Sequence, residues 1–107
     1  MTPDPAPVRA FLDPAHEAHA GAVGAFAERV LAARPEPADD AAARIEARAL
    51  LELLGGGGWL APIGARDWRG CCLAREALAA ASPLADAVFA LQALGAVPLL
   101  LAGDEAK

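Results

Sequence analysis

A chain of 107 residues with a net charge of −5 and no basic cluster is one domain at most, with no electrostatic footprint for nucleic acid or an anionic membrane surface. Alanine exceeds a quarter of the residues, β-branched residues are scarce and tyrosine is absent, so propensity favours helix wherever glycine and proline do not intervene. The two cysteines, Cys71 and Cys72, are adjacent, which excludes a metal-ligand or CxxC redox spacing and fits a reducing cytoplasm.

The chain opens with MTPDPAPVRA, which has no signal-peptide pattern; residues 1–10 are expected to form a disordered, proline-rich tail. Asp13-Pro14 is then a helix start, an N-cap acid followed by proline at the first helical position, with Glu17 in the first turn. Leu12, His19, Val23, Phe26 and Val30 recur at threes and fours, the pattern of an amphipathic helix that ends near Arg34, before Pro35 and Pro37. Within it, His16-Glu17-Ala18-His19 suggests a metal. The zincin arrangement needs its histidines four apart, however, and no third ligand stands nearby. His19 falls on the apolar stripe with His16 beside it, so a packed or surface pair is expected and no metal site.

Asp39 and Asp40 cap a second helix whose apolar side carries Ile45, Leu50, Leu53 and Leu54. Gly55 to Gly58 end it. A phosphate loop has a strand leading into its glycines and a helix leaving them; here the helix comes first, and its carbonyl end would repel an anion. The glycines are therefore expected to stop the helix with a positive-φ position. In the loop GWLAPIGARDWRG, the two tryptophans are expected to pin the connection to the core.

A third helix is expected from about Cys71 to Ala81. Cysteines at a helix N-terminus can be reactive, but no partner base is identifiable, and packing as small apolar residues is the expected role. Ser82-Pro83 closes this helix and opens a fourth, which runs through Phe89 and Leu91 toward Gly95 and is expected to break at Pro98. The segment AVFALQALGAVPLLLAG is too short, and too interrupted by Gln92, Gly95 and Pro98, for a membrane span. Gly103-Asp104 reads as the cap of a further helix, with Asp104 and Glu105 compensating its dipole. The domain over 11–107 is thus expected to end just inside that helix, as a piece of something larger. The fold class is all-α, an up-and-down bundle of about four to five helices, with no complete active site and no catalytic residue.

Taken in order, these pieces resemble the N-terminal helical domain of the acyl-CoA dehydrogenases, flavoenzymes that desaturate acyl-CoA thioesters. FLDPAHEAHAGAVGAFAERVL is similar to that family's opening helix with its characteristic phenylalanine, here Phe26. LLELLGGGGWLAPIG resembles its leucine-rich helix, Gly-rich turn and hydrophobic-Pro segment. CLAREALAAASPLADAVFALQALGAVPLLLAGDEAK is similar to its paired helices and the Gly-acid-acid-x-Lys entry to the next helix. The likeness runs from Phe11 onward and departs at IGARDWRG, where the family has an acidic-Tyr-Gly-Gly stretch.

The resemblance implies a parent enzyme with FAD. Its glutamate base, flavin site and most CoA contacts would lie in a β-domain and a C-terminal helical domain that these residues do not include; for this chain alone no cofactor is expected. The N-terminal domain's share would be a wall of the acyl-chain pocket, with Asp86, Ala90 and Leu94 on one face of the fourth helix and Ala87 adjacent. The expected partners are the remaining domains or a partner subunit, with acyl-CoA in the complete enzyme. Helices two and four also carry more leucine than such a core encloses, so self-association through exposed apolar faces is expected. The alternative reading is a stand-alone helical interaction module that has lost the enzyme.

Overall fold

The computed structural model describes residues 2–103, and the expected helix start at Gly103-Asp104 lies beyond them apart from Gly103 itself. Among the described residues there is no strand. Five α-helices follow one another: α1 (Pro14–Phe26), α2 (Asp40–Gly56), the short α3 (Ala61–Gly64), α4 (Trp68–Ala81) and α5 (Pro83–Ala102). Where a disordered tail is expected over 1–10, a 3-10 helix spans Ala6–Phe11, and Thr2 lies against Gly24 of α1, where an added Cβ would meet the Thr2 methyl at 2.5 Å.

The first helix does not continue as α-helix to Arg34. Ala27–Leu31 is a π-helical stretch, with the Ala32 N–H bonded to the Ala27 carbonyl at 2.9 Å. One residue is thereby inserted into the turn, and the apolar register slips by one. Val30, expected in the core, is only partly buried; Leu31 takes the place at 1% exposure.

α2 begins at the expected acids, where the Asp39 carboxylate accepts the Ala42 N–H at 2.8 Å. Leu50 and Leu54 are buried, but Ile45 is 74% exposed. Five residues before Leu50, it points away from the face those leucines define. α4 starts at Trp68, three residues ahead of the expected point, because Asp67 caps it through the Gly70 N–H at 3.0 Å.

α5 is likewise longer than the sequence suggests. The Ser82 hydroxyl accepts the Ala85 N–H at 3.1 Å, and the helix runs unbroken through Gly95 and Pro98. Proline forfeits one backbone hydrogen bond, and the helix absorbs that loss. At 20 residues and mean hydropathy 1.9, α5 is long and apolar enough, by length and composition alone, to cross a membrane. That corrects the expectation that Gly95 and Pro98 make it too short.

The core joins Val23, Phe26 and Leu31 to Leu50 and Leu54, Ile63, Leu78, and Val88 and Phe89. α4 and α5 form an antiparallel hairpin at Ser82, since Arg75 meets Asp86 and Arg66 reaches the Leu100 carbonyl. α1 packs chiefly on α4 rather than on its sequence neighbour α2, and the two run in the same direction. His16 meets Asp67 near their starts, while Gly24 and Ala27 share a small cavity with Ala77 and Ala81 near their ends. The bundle is therefore all-helical without being a plain succession of up-and-down neighbours.

Candidate functional site

The first candidate for chemistry is the histidine pair. His16 is buried at 6% exposure, the packed of the two placements expected for the pair. Its Nδ1 accepts the Asp13 N–H at 3.0 Å, which leaves the proton on Nε2, and this donates to Asp67 Oδ1 at 2.9 Å. With both nitrogens committed, the ring has no lone pair for a metal and none to take a proton from a substrate. The Gly70 N–H and then His16 hold the Asp67 carboxyl below its ordinary pKa. The arrangement is a staple between two helix starts. His19 points its Nε2 into an enclosed position without a partner, and no group of metal-ligating side chains occurs among the described residues.

Cys71 is buried, and burial, reinforced by the Asp67 charge, pushes its thiol pKa up. That is the wrong direction for a nucleophile. Cys72 is exposed.

The glycine run ends α2 in a Schellman arrangement. The Trp59 N–H bonds to Leu54 O at 2.9 Å and the Gly58 N–H to Gly55 O at 3.2 Å, with Gly58 alone at positive φ, +80°. The turn swings Trp59 onto Phe26, ring centroids 4.8 Å apart and 29° between planes. Only this tryptophan pins the loop, since Trp68 is half exposed.

Two grooves flank the proline linker. One, about 320 Å³, lies between Leu31, Arg34, Pro35, Leu50 and the Ser82 corner; the other, about 370 Å³, runs past Pro37 to Ile45. Arg34, common to both, is bonded to Glu46 at 3.0 Å, and this partner raises the pKa of its guanidinium. These grooves do not fit a flavin: the one cation lining them, Arg34, is already neutralised, and among the described residues no helix presents a glycine-rich start to a pyrophosphate.

What remains is the outer face of α5. Ala85, Val88 and Phe89 turn inward and are buried. On the opposite side Ala87, Leu91, Leu94, Pro98 and Leu101 are all exposed, the three leucines at 62%, 73% and 64%. Steps of four and three residues place them in one stripe, with no charged residue anywhere between 87 and 103. No family model, no curated protein and no solved structure matches this chain. The site therefore has to be argued from its own geometry.

Of the four acyl-pocket residues that the resemblance implies, Ala87 and Leu94 lie on this exposed stripe and Ala90 borders it, partly buried. Asp86 lies off the exposed stripe. Its carboxylate accepts from Arg75 Nε at 2.8 Å and Nη2 at 3.3 Å, a pairing that ties α5 to α4. Leu91, Pro98 and Leu101 were not among the expected pocket residues, although their heptad spacing was legible in the sequence.

Proposed function

We propose that this chain is the N-terminal helical domain of an FAD-dependent acyl-CoA dehydrogenase, which presents the outer face of α5 to the rest of the enzyme as a wall of the acyl-chain pocket. A helical fold alone implies no function. The observation that carries the reading is the uncovered, uncharged face of α5, because apolar surface of this extent on a soluble protein belongs against another body. The ordered likeness of the sequence pieces supplies the family.

On this reading the chain's residues bind and exclude water and do no bond-making. Leu91 and Leu94 contribute apolar contact, Ala87 and Ala90 leave room for methylene groups, and Arg75 holds Asp86 back so that no carboxylate meets the tail. The base and the flavin site would stand on other domains.

The test is purification of the tagged chain from its own source. Flavin absorbance in the complex, acyl-CoA-dependent reduction of a dye, and a shift toward shorter acyl chains in Ala90→Phe are expected. A colourless preparation that reduces no dye with any acyl-CoA overturns the reading. The second reading, a stand-alone interaction module, is favoured by the regular heptad spacing of the same stripe, which suits a helical partner better than it suits a flexible chain.

A further inference from the structure

Residues 2–11 run back along the bundle they precede. Thr2 lies against Gly24 of α1, and Pro3 and Pro5 sit beside Ala20 of α1 and Leu73 and Ala77 of α4. Arg9 pairs with Glu17, and the Phe11 carbonyl accepts Arg69 Nη1 at 2.8 Å at the start of α4. These contacts descend in order, 2 with 24, 5 with 20 and 9 with 17, so the segment lies antiparallel to α1 and α4 in the seam between them. Over 2–5 the prolines are half-buried while Thr2 and Asp4 are exposed, the period-two alternation of extended chain laid on a surface.

Gly24 makes the contact specific. A glycine inside a helix costs stability relative to alanine. A Cβ at Gly21 of the same helix would meet nothing within 4 Å, whereas one at Gly24 would stand 2.5 Å from the Thr2 methyl and 3.8 Å from the Thr2 Cβ. The side chain that Gly24 lacks leaves the socket that Thr2 fills.

We propose that residues 2–5 are a strap that closes the α1–α4 seam and detaches from it without the bundle unfolding, so that the chain's own N-terminal segment gates access to the seam. Docking is favoured because Pro3, Pro5 and Pro7 have little backbone freedom to lose. It is weak because it buries little. No residue of the 3-10 helix is buried, and the Arg9–Glu17 pair is exposed and screened by solvent. A cavity of about 90 Å³ also remains between Thr2, Pro3 and the alanines at 27, 77 and 81. A segment with so few buried contacts opens locally, and α1 stays fastened to α4 by the bond between His16 and Asp67 when it does. Among the described residues none of α5 lines the seam, so the strap does not rest on the acyl-CoA reading.

Nuclear magnetic resonance of the full chain tests it. A cross-peak between the Thr2 methyl and the Gly24 Hα is expected, with an ordered heteronuclear NOE at Asp4. Gly24→Ala should abolish that order and shift the Ala77 and Ala81 methyls, while the urea midpoint stays level or rises, because alanine favours the helix. Pro3→Asp should release the strap in the same way without altering α1. Thr2→Ala in the Gly24→Ala background should restore the order, since the two Cβ atoms would then stand 3.8 Å apart, an ordinary packing distance.

A wild type that lacks the cross-peak, with Asp4 as free as in urea, overturns the strap. So does a Gly24→Ala chain whose midpoint falls together with the loss of order, which would make the segment part of the core, or a double variant that stays loose. A cross-peak found only between differently labelled copies would give the seam to a second chain's segment and overturn closure in cis. None of these outcomes depends on flavin or on acyl-CoA, so this inference and the enzymatic reading fail separately.

Discussion

Across 51 residues of sequence, the buried imidazole of His16 donates to the carboxylate of Asp67 at 2.9 Å. The bond fastens the N-terminus of α1 to the N-terminus of α4. Because the other ring nitrogen accepts the Asp13 N–H, His16→Ala leaves both a backbone donor and a carboxylate short of a partner. A loss of about 1–3 kcal/mol is expected, measured by urea denaturation. Zinc should leave the melting temperature of the wild type unchanged; a metal-dependent rise would restore the metal reading of the histidine pair.

The depressed pKa of Asp67 makes a statement about acid. Its folded pKa lies below the unfolded value, so its contribution is fully present above the ordinary carboxylate range, near 4. It is lost as pH falls through the lower, folded value. Denaturation curves at successive pH values should show the wild type losing stability in that acid window, with part of the slope missing in Asp67→Asn. Equal slopes would mean that the carboxylate is no better satisfied folded than unfolded.

The four glycines should divide under alanine substitution. At Gly56 an added Cβ meets nothing within 4 Å, and inside the last helical turn alanine should stabilise by up to about 1 kcal/mol. At Gly57 the Cβ would sit 2.6 Å from Trp59 Nε1 and 3.1 Å from the Leu53 carbonyl. The tryptophan is stacked on Phe26 and cannot step aside cheaply. Gly58 needs its positive φ, so alanine there should cost about 1–2 kcal/mol. Thermal melts that show all four positions equally sensitive would contradict a helix stop.

Thiol labelling should separate the two cysteines. Cys72, exposed, should react with a maleimide in the native state, whereas Cys71, buried with its pKa raised, should react only on unfolding. Mass spectrometry counts the adducts; native modification of both would show that the start of α4 opens readily.

The parts legible in the sequence were those encoded by short-range chemistry. Asp13-Pro14, Asp39-Asp40 and Ser82-Pro83 mark helix starts through local capping, and the glycines mark a stop, so the number and order of long helices could be read directly. What escaped was whatever depended on a distant neighbour. The π insertion at Ala27–Leu31 leaves no mark in apolar periodicity, which is why Val30 was placed where Leu31 belongs. His16 looked peripheral because its distant partner, Asp67, is the cap of α4 and far away in sequence. Gly95 and Pro98 looked like breaks because propensity says nothing of a helix end held by Arg66. At the candidate site, Asp86, Ala90 and Leu94 were placed on one face with Ala87 adjacent, but Asp86 could be recognised as Arg75's partner only once α4 and α5 were paired.

The side-by-side, same-direction packing of α1 and α4 has a kinetic consequence. Helix-rich chains fold quickly when their contacts are local, as in bundles whose neighbours in space are neighbours in sequence. Here the pair around which the core is arranged closes only after α2, α3 and two loops have been gathered between its members, so loop closure must precede the gain from packing. The hairpin of α4 and α5 needs only the turn at Ser82 and is the natural first unit to assemble, with α1 docking onto it afterwards. During synthesis α1 would therefore emerge with nowhere to go until α4 had left the ribosome, an interval spent with Val23, Phe26 and Leu31 uncovered.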